Sequence, residues 1–462
     1  MKLKKGDLLD LRVEGVAFGG KGIAKIDGLT VFVDNGIPQD YVSARIIKKK
    51  KKYLEARIEA VIEPSPYRVE PECEYSGFCG GCKWQTLRYD KQLEYKRRHV
   101  VDSLEHIGLF RDVEVHPTIP SGKIFGYRNK MEFSCSDRRW LLPEELGKDD
   151  VEIGFALGLH VPGTFYKVLD NKYCLLQPDL GNKILNEVQS FIKDSGIPVY
   201  GLRSHKGYWR FLMLRHSSVF DQWMVNIITA DEDREAVQPL ADRLMECYPE
   251  VVSVVNNINS GKAGIAVGEY EINLAGSSSI TERIGAYQFE ISSNSFFQTN
   301  TLGAFELYEK VKEYAGLTGR EIVLDLYSGT GSIAIFLSDH AKEITGLELV
   351  ESAVSDAEKN CINNSVSNCR FIPGDIRYSL ANITTRPDVM IIDPPRSGLH
   401  KDVIKQIMAA APEKIVYVSC NPATMARDLG LIKDSYEIME VQPVDMFPHT
   451  YHIESVAKIQ KR

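Results

Sequence analysis

Val323-Leu324-Asp325-Leu326-Tyr327-Ser328-Gly329-Thr330-Gly331-Ser332 joins an apolar strand to a Gly-x-Gly turn and the start of a helix. Glycines at a strand-to-helix turn let the backbone approach a ligand closely. Downstream, the hydrophobic pattern predicts strands ending near Glu348, Ile372, Asp393 and Ser419, each after a helical or loop crossover. Upstream, Leu302, Phe305, Tyr308, Val311 and Ala315 form a stripe at helical spacing. Residues 296–462 therefore predict an α/β domain with a parallel, doubly wound sheet and its ligand at the carboxyl ends of the strands.

Two further motifs fall at expected strand ends. Asp393-Pro394-Pro395-Arg396 follows Val389 to Ile392, and Cys420-Asn421-Pro422-Ala423-Thr424 follows Val416 to Ser419. Both should face the crevice of the glycine turn. Glu348 lies 23 residues after Asp325, a spacing that suits hydrogen bonds to ribose hydroxyls. A dinucleotide site would need a glycine where Ala334 stands; S-adenosylmethionine has no pyrophosphate and does not. Asp325 suits either a ligand role or a cap on local backbone. A free cysteine is ordinarily a small buried apolar residue, but Cys420 sits where the chain must turn.

Residues 63–295 read as a central α+β domain, with strands such as Lys130 to Ser134, Phe211 to Arg215, Trp223 to Thr229 and Ile265 to Leu274. The helix-like stretch around 90–120 is a candidate to pack on the α/β domain. In residues 1–62, five short strands punctuated by Gly19-Gly20 and Asn35-Gly36 predict a small OB-type barrel, a common nucleic-acid platform. Glu63-Pro64-Ser65-Pro66 marks its end. This stretch holds 13 Lys+Arg against 8 Asp+Glu, including Lys48 to Lys52, in a chain of net charge −7. A lysine run is either a solvated loop or a source of phosphate attraction.

No apolar run approaches the roughly 18–20 residues of a membrane span, and no signal peptide is expected, so a cytoplasmic location follows as the expectation. Nine cysteines favour thiols or metal ligands over disulfides. Cys73, Cys79 and Cys82, the last two in a Cys-Gly-Gly-Cys, suit a metal; spacing leaves zinc and iron–sulfur equally open, and Cys135 is one candidate fourth ligand. Cys247, Cys361 and Cys369 have no partner pattern.

Ser419-Cys420-Asn421-Pro422-Ala423-Thr424 and Pro448-His449-Thr450-Tyr451-His452-Ile453-Glu454 strongly resemble the RNA uracil-5-methyltransferase family. Ser295-Phe296-Phe297-Gln298-Thr299-Asn300 and Asp393-Pro394-Pro395-Arg396 match it in the expected order, and residues 1–62 resemble its TRAM domain. The resemblance implies a Rossmann-like class I methyltransferase domain, Cys420 as the nucleophile and Glu454 as the base. It also implies S-adenosylmethionine contacts from Gln298, Tyr327, Glu348, Asp375 and Asp393. The metal site becomes a 4Fe–4S cluster with Cys174 as fourth ligand, and zinc the alternative. RNA is the implied partner, 23S ribosomal RNA ahead of transfer RNA, with no protein partner. The competing reading is an RNA-binding or redox-responsive iron–sulfur module with vestigial catalysis; an intact Cys420 and Glu454 speak against it.

The chemistry requires these residue types. Uracil C5 is a poor nucleophile until a thiolate adds to C6 and generates an enolate. A free thiol has a pKa of about 8.5, so the site must lower it or deprotonate it as substrate binds. The target base must also leave its stack; Phe296 is a candidate stacking face, and Tyr127-Arg128-Asn129-Lys130 offers donors for RNA.

Overall fold

The computed structural model describes residues 3–462. At the N-terminus, strands Leu8–Arg12, Gly15–Val16, Gly22–Ile26, Leu29–Asp34, Tyr41–Lys49 and Tyr53–Glu63 form one sheet. Alternation sends Leu9 and Leu11 inward with Val31, Val33, Val42 and Leu54. Three register shifts between the last two strands bend them around this core. The lysine run is the turn between those strands. Lys48 pairs with Glu55 at 2.7 Å and Lys49 donates to the Leu3 carbonyl at 2.7 Å, which leaves Lys50, Lys51 and Lys52 as the solvated tip.

A second sheet runs in the order Tyr270–Gly276, Val251–Ile258, Trp223–Thr229, Trp209–His216, Lys130–Ser136, Ala156–Gly158. Helices Asp179–Ser195 and Arg234–Cys247 bury Ile184, Val188, Leu240 and Leu244 in one core with Trp209 and Trp223. The expected strand from Ile265 begins only at Tyr270.

The third sheet has eight strands: Cys369–Pro373, Glu343–Glu348, Ile322–Leu326, Val389–Ile392, Lys414–Ser419, Glu454–Lys461, Tyr436–Val444 and Glu114–Val115. The first five are parallel, as the strand–helix rhythm predicts. The sheet as a whole is mixed, because Glu454–Lys461 inserts antiparallel beside Lys414–Ser419. That reversal matters. It places the start of one strand at the edge where the parallel strands end, with Ser455 opposite Ser419.

Helix Thr301–Ala315 forms where expected and buries Tyr308, Val311 and Ala315 of the expected stripe, with Gly303, Ala304 and Leu307 completing the buried face, while Leu302 and Phe305 face outward. Close approach decides the rotation: a Cβ on Gly303 would lie 2.6 Å from Met446 Sδ, so the smallest residues turn inward. Two segments from before residue 296 also pack on the third sheet, the first unexpected and the second as expected. The hairpin Ser279–Ile284/Tyr287–Ser292 gives Ile280, Ile284, Phe289 and Ile291 to the core of the third sheet, so that core begins before residue 296. Helix Tyr89–Ser103 and the turn after it pack Val100 and Leu104 with Met425, Ala426 and Leu429.

Candidate active site

The glycine turn holds an unusual backbone. Tyr327 has φ +67°, a left-handed conformation rare for a bulky side chain, and Gly329 and Gly331 follow at +54° and +75°. At Gly331 a Cβ would lie 2.6 Å from the Phe371 ring. Glu348 closes the turn, Oε2 accepting from Gly329 N at 3.0 Å and Oε1 from Val350 N at 2.9 Å. Each oxygen keeps a lone pair for a ligand. Asp325 caps nothing: both its carboxylate oxygens are buried without a hydrogen-bond partner among the described residues. Burial, with Asp393 and Glu348 nearby, pushes its pKa well above the carboxylate range.

The turn opens into a cleft of about 1260 Å³ at the strand ends, lined by Gln298, Tyr327, Glu348, Asp375, Asp393, Cys420 and Glu454. Asp375 sits at its outer end, its carboxylate engaged by Arg377 N and Nε at 2.9 Å each. Phe296 lines the cleft with 65% of its surface exposed, a free ring rather than a core aromatic.

Cys420 is half-buried at a tightly wired strand-to-helix junction. Ser419 Oγ accepts from Asn421 N at 3.1 Å, and Asn421 Oδ1 accepts from Ala423 N at 3.1 Å, capping helix Pro422–Ile432. Asn421 Nδ2 and Thr424 Oγ1 donate to the Arg396 carbonyl at 3.1 and 3.3 Å, tying the two motif loops together.

Glu454 is buried at the start of its strand. The loop before it hangs on helix Tyr89–Ser103. Lys96 Nζ donates to Asp445 Oδ1 at 2.6 Å, both side chains fully enclosed, and to Phe447 O at 3.0 Å. Gln92 Oε1 accepts from His449 N at 2.8 Å. The Tyr127 hydroxyl donates to Pro448 O at 3.1 Å. Lys96 and Gln92 escape a motif search. Their signal is two polar side chains four apart on a helix face that also buries His99 and Val100.

Burial, with Glu454 and Asp393 facing it, pushes the Cys420 thiol up to about 11, against the pull of the Arg396 guanidinium beside it. Glu454 is held well above the carboxylate range by burial and Asp393, and Asp393 is pushed up to about 6 by burial. The free site therefore does not lower the thiol pKa. Arg396, the cation that assists, is a residue the motif reading did not assign.

Cys73, Cys79, Cys82 and Cys174 line one small cavity of about 50 Å³ with Tyr75, Tyr173 and Arg128; Cys135 is enclosed in the neighbouring strand Lys130–Ser136 and does not line it. Gly81 N donates to Cys79 Sγ at 3.3 Å. Among the described residues, the one group of three or more His, Cys, Asp or Glu donors mutually within 4.8 Å is the surface trio Asp102, Glu105 and His106. So no three of the four sulfurs approach that closely. Tetrahedral zinc, with Zn–S bonds of about 2.3 Å, would space its thiolates about 3.8 Å apart.

The tRNA (uracil-5-)-methyltransferase family profile matches residues 229–462, and the TRAM domain profile residues 2–58. The chain is 43% identical to a protein named uncharacterized RNA methyltransferase from Chlorobaculum tepidum, over 100% of this chain and 98% of that one. It is 41% identical to a protein of the same name from Bacteroides thetaiotaomicron, over 97% and 100%. Among solved structures, the Pyrococcus abyssi tRNA (uracil-54, C5)-methyltransferase in complex with S-adenosyl-L-homocysteine superposes with a TM-score of 0.76 at 29% identity, covering 98% of this chain and 100% of that one.

Iodoacetamide is expected to alkylate Cys420 slowly at neutral pH, at a rate that climbs toward a midpoint of about 11. Arg396→Gln should move the midpoint higher, since it removes the cation that favours the thiolate. A rate that is fast and flat from neutral pH upward contradicts the protonated resting thiol.

Proposed function

Because the chain belongs to the tRNA (uracil-5-)-methyltransferase family of S-adenosylmethionine-dependent RNA methyltransferases, with a TRAM domain at its N-terminus, we propose that it methylates C5 of a uridine through a bond between Cys420 Sγ and uracil C6. One observation carries this reading. Cys420 and Glu454, brought from two strands of opposite direction, line the same cleft as the glycine turn.

S-adenosylmethionine supplies an electrophilic methyl group; Gln298, Tyr327, Glu348, Asp375 and Asp393 are the proposed contacts that hold it. As the Sγ–C6 bond forms, the Cys420 proton passes to solvent water, and the electron pair displaced from the C5–C6 bond makes C5 nucleophilic. Arg396 stabilises the thiolate in that step. Once C5 carries the methyl group, Glu454, which has given up its own proton to solvent as substrate binds, takes the C5 proton. Burial makes it a stronger base than a solvated carboxylate. The C5–H electron pair restores the double bond and expels the thiolate.

We assign 23S ribosomal RNA as the substrate, on the resemblance of a TRAM domain combined with a cysteine cluster to the ribosomal members. Transfer RNA is the second reading, favoured by the activity named for the Pyrococcus abyssi structure. The four clustered cysteines are assigned a 4Fe–4S group on the resemblance, supported by their lining one cavity and by the Gly81 N–H on Cys79. The reducing cytoplasm is the compartment in which such thiolates persist.

With unmodified ribosomal RNA and S-adenosylmethionine, Glu454→Gln should accumulate a protein–RNA adduct that survives denaturation, with turnover down by about 10²–10⁴-fold. Cys420→Ala should give neither adduct nor product. Full turnover in either variant overturns the assignment. Separately, an anaerobic preparation should be brown and hold about four irons per chain; zinc without iron overturns the cluster.

A further inference from the structure

The segment Gly126-Tyr127-Arg128-Asn129 touches two sites at once. On one side it is bonded to the chain that carries Cys174: Gly126 N donates to Leu175 O and Arg128 N to Leu176 O, each at 2.8 Å. On the other side, Asn129 N donates to Thr299 O at 3.0 Å and Asn129 Nδ2 to Gln298 O at 2.9 Å. Tyr127 reaches Pro448 in the loop before Glu454. This strap joins the cysteine cavity to both loops that flank the cleft. Arg128 lines the two cavities together.

The other basic side chains of the cleft wall are engaged. Lys359 pairs with Asp356 at 3.6 Å, Arg377 with Asp375, and Arg396 lies against Cys420. Among the described residues, Arg128 has no carboxylate partner, and its Nε is buried without a hydrogen bond. A buried N–H left so is costly unless an acceptor completes it. Two anions are at hand by chemistry. Phosphodiesters of RNA enter from the cleft, and four thiolates around a cationic cluster core carry net negative charge behind it.

We propose that Arg128 is a ligand for an RNA phosphate and that the metal-loaded cysteine site sets its placement, so that cluster occupancy controls RNA binding. The proposal rests on the reading that the four cysteines hold a cluster. Arginine suits the role, because its planar fork can donate to one anion from one edge and meet another from the opposite edge. The backbone bonds from Gly126 to Leu175 and from Arg128 to Leu176 carry a shift of Cys174 into the strap.

The test uses the full-length protein, prepared anaerobically, and a uridine-containing single-stranded RNA oligonucleotide, with affinity measured across a range of salt. Arg128→Gln should weaken binding about ten-fold and reduce the log–log salt slope by about 0.7, the share of one phosphate contact on a single strand. Arg128→Lys should keep the slope. Stripping iron from the unaltered protein should cause a matching loss, and stripping it from Arg128→Gln should add none, while S-adenosylhomocysteine binding persists in both. An unchanged slope in Arg128→Gln, or equal losses on stripping both proteins, overturns the coupling. If stripping also abolishes S-adenosylhomocysteine binding, the loaded proteins decide. Arg128→Gln should lower the cluster's reduction potential and Arg128→Lys should not; an unmoved potential overturns the proposal. A preparation that never holds iron defeats the cluster reading and this coupling with it. Independent losses in an iron-loaded protein defeat the coupling alone.

Discussion

A lysine ammonium and an aspartate carboxylate, both sealed from water, hold the loop on which the site depends. Lys96 and Asp445 lie 349 residues apart in sequence and 2.6 Å apart in space. Removing one partner of such a pair leaves an uncompensated buried charge, at a cost of about 3–5 kcal/mol. Here the remaining valences are filled: Lys96 also reaches Phe447 O, and Asp445 accepts from the Tyr89 hydroxyl and Phe447 N. A satisfied buried pair contributes little net stability but fixes one geometry. That geometry carries the chain from Asp445 to Glu454.

The second constraint is topological. A fully parallel sheet would present only strand carboxyl ends to the crevice, and a residue opening the last strand would lie at the opposite edge. The antiparallel insertion of Glu454–Lys461 removes that separation. Glu454 then faces Cys420 across the pair Ser419–Ser455, with the Asp393 loop fastened to the Cys420 loop through the Arg396 carbonyl. Glu454 and Cys420, enclosed with Asp393 beside one guanidinium, both have raised pKa values, the carboxyl through burial and Asp393 and the thiol through burial and Glu454.

Local signals were read where local physics decides. The glycine turn, the strand ends and the helix after Asn300 follow from periodicity and turn chemistry, and the structure has them at those places. The Thr301–Ala315 helix buries Tyr308, Val311 and Ala315 as the apolar spacing predicts but turns Leu302 and Phe305 outward, because that spacing cannot weigh the close approach at Gly303. The same limit hid Lys96 and Gln92, whose partners lie hundreds of residues away. Arg396 sat inside a motif already singled out, yet its charge has meaning only once Cys420 and Glu454 are seen beside it. Spacing alone could not choose between Cys135 and Cys174. The resemblance chose Cys174, and the cavity is lined by Cys174, whereas Cys135 is packed in its sheet.

The central claim is a reversible sulfur–carbon bond to a pyrimidine, and a base that cannot release its C5 substituent tests it directly. In RNA carrying 5-fluorouridine, Glu454 would find no C5 proton to remove. The unaltered protein with S-adenosylmethionine should then be trapped, and proteolysis with mass spectrometry should find Cys420 joined to a methylated fluoropyrimidine nucleotide. Methylation of ordinary uridine RNA combined with an unmodified Cys420 after exposure to the fluorinated RNA would contradict the account.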